Sequence, residues 1–232
     1  MWARATRPRG FWCSDEIAVG SVMMACSQTV VGIDVGGKRK GFHAVSLRDG
    51  VFEKTKSSSD PAEVAEWCRE QSADIVAVDA PCGWSLSGSS RAAERDLAGK
   101  KIHCFATPKR THAEEHRRGF YDWVFNGEEL YRELKIHYRL FDGDRGTRPI
   151  CFETFPHAIV CALVGKVVSA RPKKKTRCKV LRERNYDVGM LSGVDLVDAA
   201  LCAVTAEEFR NGWIMEFGAC GEGIIVVPGS RS

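Results

Sequence analysis

A chain of 232 residues with 44% hydrophobic and 28% charged side chains is built like an ordinary globular domain, which excludes a fibre, a disordered tail and a disulfide-stapled miniprotein. No run approaches the roughly 18 apolar residues that a membrane-spanning helix needs. The ten cysteines are scattered with no CxxC pair, which argues against a zinc ribbon or a thioredoxin-like site and predicts free thiols in a reducing cytoplasm. The net charge of +4 is unevenly spread: Arg171–Arg184 holds eight basic residues and one acid, so the remainder sums to −3. A concentrated basic segment is what a surface facing phosphates requires; a solvated helix face or an address signal are the alternatives.

Residues 1–28 are Arg-rich at the start, lack the apolar core of a signal peptide, and end just after Met23-Met24. They predict a disordered extension, with Met23 or Met24 as an alternative start. One domain is expected over 29–232. Val30–Asp34 is short, apolar and β-branched, a buried strand. Gly41–Leu47 alternates as a second strand, and Asp49-Gly50 is a two-residue hairpin signal leading into a third at Val51–Thr55. Asp60-Pro61 opens a helix to about Gln71, with Glu63 at capping-box spacing. Asp74–Asp79 is a nearly continuous apolar strand of the kind covered on both faces. A helix crossover implies that it returns parallel to the first.

Ser90–Lys100 is expected to be helical. Residues of about 101–150 form a helical insertion whose stripe is Phe120, Val124, Tyr131, Leu134, Tyr138 and Phe141. Cys151–Phe155 is a fifth strand, Pro156–Val164 a helix, and Asp195–Phe209 the last helix, with Val194, Val197, Leu201 and Val204 facing the core. Ile214–Phe217 and Ile224–Val227 predict a small terminal hairpin. The fold class is α/β: a mixed five-stranded sheet, a three-strand antiparallel meander plus parallel strands, flanked by helices.

Four aspartates at three places in the chain stand out against this frame. Asp34 and Asp79 each end a buried strand, and on parallel neighbours both emerge at the carboxyl edge, where ligands of open α/β sheets bind. Asp195 and Asp198, spaced i and i+3, share a helix face. Four converging carboxylates repel unless cations lie between them, and Mg²⁺ or Mn²⁺ suits an all-oxygen set. Each aspartate alone has a simpler role, as a turn former or helix cap.

Gly32-Ile33-Asp34, Val78-Asp79-Ala80-Pro81, Arg91-Ala92-Ala93-Glu94-Arg95, Phe152-Glu153-Thr154-Phe155-Pro156 and Asp195–Ala203 occur in that order over about 30–210. Together they resemble the DUF429 family of predicted ribonuclease H-like nucleases. The Asp195-x-x-Asp198-Ala-Ala-Leu pattern is similar to that of RuvC-type Holliday-junction resolvases. Where family members often show two adjacent aspartates at the last helix, this chain has Val194-Asp195. The resemblance implies a ribonuclease H-like fold and a metal-dependent nuclease using two metals. Asp34, Asp79, Asp195 and Asp198 would be metal ligands, with Glu153 and Glu94 in supporting roles. Lys173, Lys174, Lys175, Arg177 and Lys179 would hold the DNA or RNA backbone.

Two other readings stay open. Gly32–Gly37 resembles the first phosphate loop of actin and sugar-kinase type phosphotransferases, which implies an ATP-binding enzyme. A nucleic-acid-binding protein that kept the fold without catalysis is the other. His112 and His116 have zinc-compatible i,i+4 spacing but no HExxH pattern, and an exposed helix is the expectation. Lys38-Arg39-Lys40 is a solvated turn or a phosphate contact, and Trp84, Trp123 and Tyr121 are core or rim residues or base-stacking rings.

Overall fold

The computed structural model describes residues 28–116 and 119–229; all but the last residue of the expected N-terminal extension lies outside them. Seven helices and eight strands are described. The meander is β1 (Thr29–Val35), β2 (Phe42–Arg48) and β3 (Val51–Ser58). Asp49 and Gly50 both take positive φ, the backbone that a type I′ hairpin turn demands. Helix α1 (Pro61–Glu70) starts where Asp60 accepts a hydrogen bond from the Ala62 N–H at 2.8 Å. Glu63 does not close the expected capping box; it accepts from the Ser58 hydroxyl at 2.7 Å instead. The crossover then delivers β4 (Ala73–Asp79) parallel to β1.

Beyond β4 come α2 (Ala92–Gly99), the short α3 (Arg110–Glu115) and α4 (Asp122–Leu134). They are followed by a two-residue β5 (Arg139–Leu140) and β6 (Ile150–Glu153). The expected stripe through the insertion is broken: α4 stops at Leu134, so Tyr138 and Phe141 are buried from the segment around β5, while Phe120 is exposed. Helices α5 (Pro156–Val164), α6 (Lys173–Glu183) and α7 (Val194–Arg210) lead to the hairpin β7 (Ile214–Ala219) and β8 (Gly223–Pro228).

All strands belong to one open mixed sheet ordered β3-β2-β1-β4-β6-β8-β7, with β5 alongside β6. The five expected strands form its body. The terminal hairpin is part of the same sheet rather than a separate appendage, because β8 pairs in parallel with β6 through Glu153 and Ile225. Helices cover both faces, an arrangement consistent with the ribonuclease H-like fold. No helix among the described residues is long and apolar enough to cross a membrane.

Two apolar clusters fill the two faces, and the period-2 alternation of strands sorts the residues between them. Val31, Ile33, Val76 and Val78 face α1 and α4; Val30, Ile75 and Ala77 face α5, α6 and α7. Helix α7 is buried almost all round from Val197 to Ala206, as expected of a helix enclosed between a sheet and other helices. Its closeness to β1 depends on Gly32. A β-carbon there would stand 2.0 Å from the Ala199 carbonyl oxygen and 2.1 Å from the Ala203 nitrogen. Both obstacles are backbone, so no side chain can turn aside.

Gly32→Ala is therefore expected to force α7 off the sheet and to destabilise the protein by about 3 kcal/mol or more, at or beyond the upper end of ordinary overpacking. Urea unfolding of the purified variant measures this; a loss below about 1 kcal/mol would show that α7 has room to move.

Candidate metal centre

The register of β1 against β4 sets Asp34 directly beside Asp79 at the carboxyl ends of two parallel strands. By strand alternation both side chains fall on the face covered by α7, whose first turns lie over that edge. Asp198 joins them there: one carboxylate oxygen from each of Asp34, Asp79 and Asp198 lies within 4.8 Å of the others. Asp34 and Asp198 are buried, at 8% and 6% exposure, and Asp79 is partly exposed. Asp195, one helical turn earlier, stands outside this group. Its Oδ1 accepts from Lys40 Nζ at 3.0 Å, and His43 Nε2 lies 3.9 Å from its other oxygen.

The cations around the cluster do not match its charge. Arg177 pairs with Asp198, the guanidinium reaching the carboxylate from the inner face of α6; Lys40 pairs with Asp195. Among the described residues, four carboxylates are thus paired directly with two cations, with the exposed Lys173 acting on Asp198 from farther off, which leaves net negative charge that a divalent ion would offset. Burial, reinforced by the negative charges of Asp198 and Asp195, pushes the Asp34 carboxyl up to about 8. Burial followed by Asp34 and Asp198 holds Asp79 well above the carboxylate range, and burial raises Asp198 against the opposing pull of Arg177. Three acids packed this tightly either share protons or share a cation, and hard oxygen donors fit Mg²⁺ or Mn²⁺.

Glu153 and Glu94 are placed elsewhere. In the parallel pairing of β4 with β6, Glu153 is in register with Val78, one residue out of phase with Asp79. It therefore leaves the sheet on the opposite face and takes no place in the cluster. Both its oxygens receive Arg91, at 2.6 and 2.7 Å, and one also accepts the Cys82 N–H at 2.9 Å. Glu94 accepts from Arg91 Nε at 2.9 Å and from the backbone N–H groups of Arg91 and Thr107. This buried triad pins the start of α2 and the loops beside it against the end of β6.

Arg177 is likewise turned from the surface role that its neighbours suggest. The inward positions of α6 are Arg177, Cys178, Val180 and Leu181, whereas Lys173, Lys174, Lys175 and Lys179 are exposed. An α-helix presents only part of a basic run on its outer face. Arg177 falls on the inner part, where Asp198 compensates its charge. His43 and the inward role of Arg177 escaped the sequence reading, and Lys40, read there as a solvated turn or a phosphate contact, pairs with Asp195 instead. For His43 a signal existed. The Asp49-Gly50 turn fixes the hairpin register, and that register sets His43 opposite Asp34; its Nδ1 lies 2.9 Å from the Ser57 hydroxyl. The Lys40 and Arg177 contacts link segments far apart in sequence, and nothing local announces them.

The family described as "protein of unknown function (DUF429)" matches residues 32–219, most of the chain, and the protein belongs to it. No curated protein and no solved structure matches the chain.

Two outcomes follow from the charges. With no divalent ion bound, Asp34 in the folded state keeps its proton up to about pH 8, while in the unfolded chain it loses it near 3.8. The folded state then binds more protons across that interval, so this contribution to stability is full below about pH 4 and is lost as pH rises toward 8. Urea unfolding in EDTA at several pH values should show a decline through this range that is shallower in Asp34→Asn; equal slopes in both proteins would contradict it. Separately, Arg91→Met leaves Glu94 and Glu153 buried without their cation and should cost about 3–5 kcal/mol, read as a lowered urea midpoint.

Proposed function

We propose that the protein is a divalent-metal-dependent phosphodiesterase acting on nucleic acid, a nuclease of the ribonuclease H-like type. The observation that carries this reading is the convergence of Asp34, Asp79 and Asp198 at the carboxyl edge of the sheet, with fewer cations than carboxylates. A divalent cation held there supplies Lewis-acid stabilisation of charge on a phosphate and acidifies a bound water. Asp34, flanked by both other ligands, is the residue a cation position most depends on. Asp195 would complete a second position by exchanging Lys40 for the ion, as a two-metal reaction requires.

The remaining residues supply binding. Lys173, Lys174, Lys175 and Lys179 project from α6 on the outer side of the helix whose Arg177 grips Asp198, so a backbone lying along α6 passes close to the cluster. Lys40, released from Asp195, stands at the cluster edge as a contact for a substrate phosphate. The eight described cysteines are free thiols, which supports a reducing compartment such as the cytoplasm. The phosphotransferase reading draws less support. Gly32 is occupied by the approach of α7, and the following turn closes on itself through Gly36 N–H to the Gly41 carbonyl at 2.8 Å. That leaves little of a phosphate cradle.

Wild type and Asp34→Asn should be compared on a panel of DNA and RNA substrates with Mg²⁺, Mn²⁺ and EDTA. Cleavage should require the metal and fall at least about 100-fold in Asp34→Asn, beyond what loss of an outer-shell partner costs. Cleavage that persists in the variant would sink the assignment, and ATP turnover without cleavage would favour the phosphotransferase. For the basic helix, the Lys173→Ala/Lys175→Ala double variant should lower the slope of log affinity against log salt by about 2 on duplex DNA. An unchanged slope would remove α6 from the interface.

A further inference from the structure

Asp195 stands outside the three-carboxylate cluster, and one of its oxygens has a neighbour of a different kind. Lys40 holds Oδ1 at 3.0 Å, while Oδ2 accepts no hydrogen bond from any described residue. Oδ2 faces His43 Nε2 at 3.9 Å, beyond hydrogen-bond length. Two donor atoms bound to one first-row ion at about 2.1 Å each stand about 3.0 Å apart at a right angle and about 4.2 Å apart in line. The observed gap falls inside that span. Both side chains are partly exposed, at 20% and 28%, so an ion can enter from solvent. Asp195 already has the Lys40 ammonium as its counter-charge, and charge alone does not require an imidazole there.

The sheet aims the imidazole. In the β1–β2 register His43 lies opposite Asp34, so strand pleating puts both side chains on the face that α7 covers. On its other side His43 is in register with Ser57 of β3, whose hydroxyl lies 2.9 Å from Nδ1. A proton on Nδ1 donated to Ser57 Oγ leaves the Nε2 lone pair directed at Asp195. Anchoring one ring nitrogen to an oxygen is how proteins orient the other as a metal ligand. Asp34 is the acid common to both neighbourhoods: it groups with Asp79 and Asp198, and it lies across from His43.

We propose that His43 Nε2 and Asp195 Oδ2 are ligands of a second cation position, a mixed nitrogen–oxygen site that takes a first-row transition ion such as Mn²⁺ in preference to Mg²⁺. The inference rests on the metal-dependent reading above and assigns a nitrogen donor to its second position. The cluster of Asp34, Asp79 and Asp198 offers oxygen alone, which suits Mg²⁺ and Mn²⁺ alike. Imidazole favours transition ions, whereas Mg²⁺ keeps to carboxylate, phosphate and water. The protein then holds two positions of different selectivity. Lys40 competes with the ion at the second, because its ammonium sits on the same carboxylate.

Mn²⁺ binding to the full chain tests this without any substrate. Electron paramagnetic resonance of free Mn²⁺ counts the bound ions, and electron spin echo modulation reads nitrogen coordinated to them. Wild type should bind two Mn²⁺, of which excess Mg²⁺ displaces one. The ion that resists Mg²⁺ should show nitrogen coupling that turns to the ¹⁵N pattern when histidine alone carries ¹⁵N. That readout uses the unaltered protein, so a misfolded variant cannot mimic it. His43→Asn should remove the resistant ion and its nitrogen signal. Ser57→Ala should weaken its affinity roughly 10- to 100-fold, the usual cost of losing an outer partner, and Lys40→Ala should tighten it by removing a competitor. An ion pair between His43 and Asp195 with no metal role predicts instead an unchanged Mn²⁺ count in His43→Asn. That result, bound Mn²⁺ without nitrogen coupling, coupling that survives His43→Asn, or no bound Mn²⁺ overturns the assignment. Metal-dependent cleavage lost in Asp34→Asn would still uphold the nuclease reading in those cases. A resistant, nitrogen-coupled ion with no cleavage of any nucleic acid would uphold this position and sink the nuclease.

Discussion

Helix α7 rests on β1 with no side chain between them at Gly32, and the acidic edge depends on that approach. The Ala199 carbonyl and the Ala203 nitrogen take the space where any other residue would have its β-carbon. With the helix seated this low, Asp198 reaches the strand-end pair of Asp34 and Asp79. Were the helix raised by the width of a side chain, Asp198 would withdraw and two strand-end aspartates would remain. Packing here is part of the site's construction, because a close-packed interface fixes distance far more tightly than a loop does.

The fold also has to contain the charge that it brings together. Burial and mutual repulsion raise Asp34, Asp79 and Asp198 together, and repulsion of that kind works against the packing that creates it. Arg177 offsets part of it from below and Lys40 from the rim. Neither offsets all of it, and the residue of negative charge is what the proposed divalent cation would meet. The buried Arg91 triad differs in kind. Its two carboxylates share one guanidinium and several backbone N–H groups, so its charge is spent on joining α2 to β6. Acidic residues adjoining the same edge thus divide into a set held short of cations and a set that is satisfied.

Around this edge the chain is asymmetric. One side is the outward row of α6, positive and exposed; the other is the aromatic wall carried by the loops and helix after β4. The insertion between β4 and β6 is irregular in sequence because no single helix spans it. Short helices and a satellite cluster of Tyr121, Val124 and Ala113 replace a long periodic element.

Much of this was legible in the residues. The hairpin turn at Asp49-Gly50, the Asp60-Pro61 helix start and the apolar run ending in Asp79 are local signals, and each produced its element. Period 3.6 and period 2 fix which side chains share a face, so pairing Asp34 with Asp79 and Asp195 with Asp198 required no coordinates. What those patterns cannot carry is distance between segments. Asp198 joined the strand-end aspartates while Asp195 was drawn aside by Lys40, 155 positions away, although both sit on the same helix face. Glu153 was lost to the cluster by a register difference of one residue, which only the β4–β6 pairing sets. Arg177 turned inward because its angular position on α6 met a buried carboxylate. Sequence by itself determined the elements and the list of acids. The tertiary structure decided which acids meet, because carboxylates interact over a few ångströms and only packed backbones set spacing that finely.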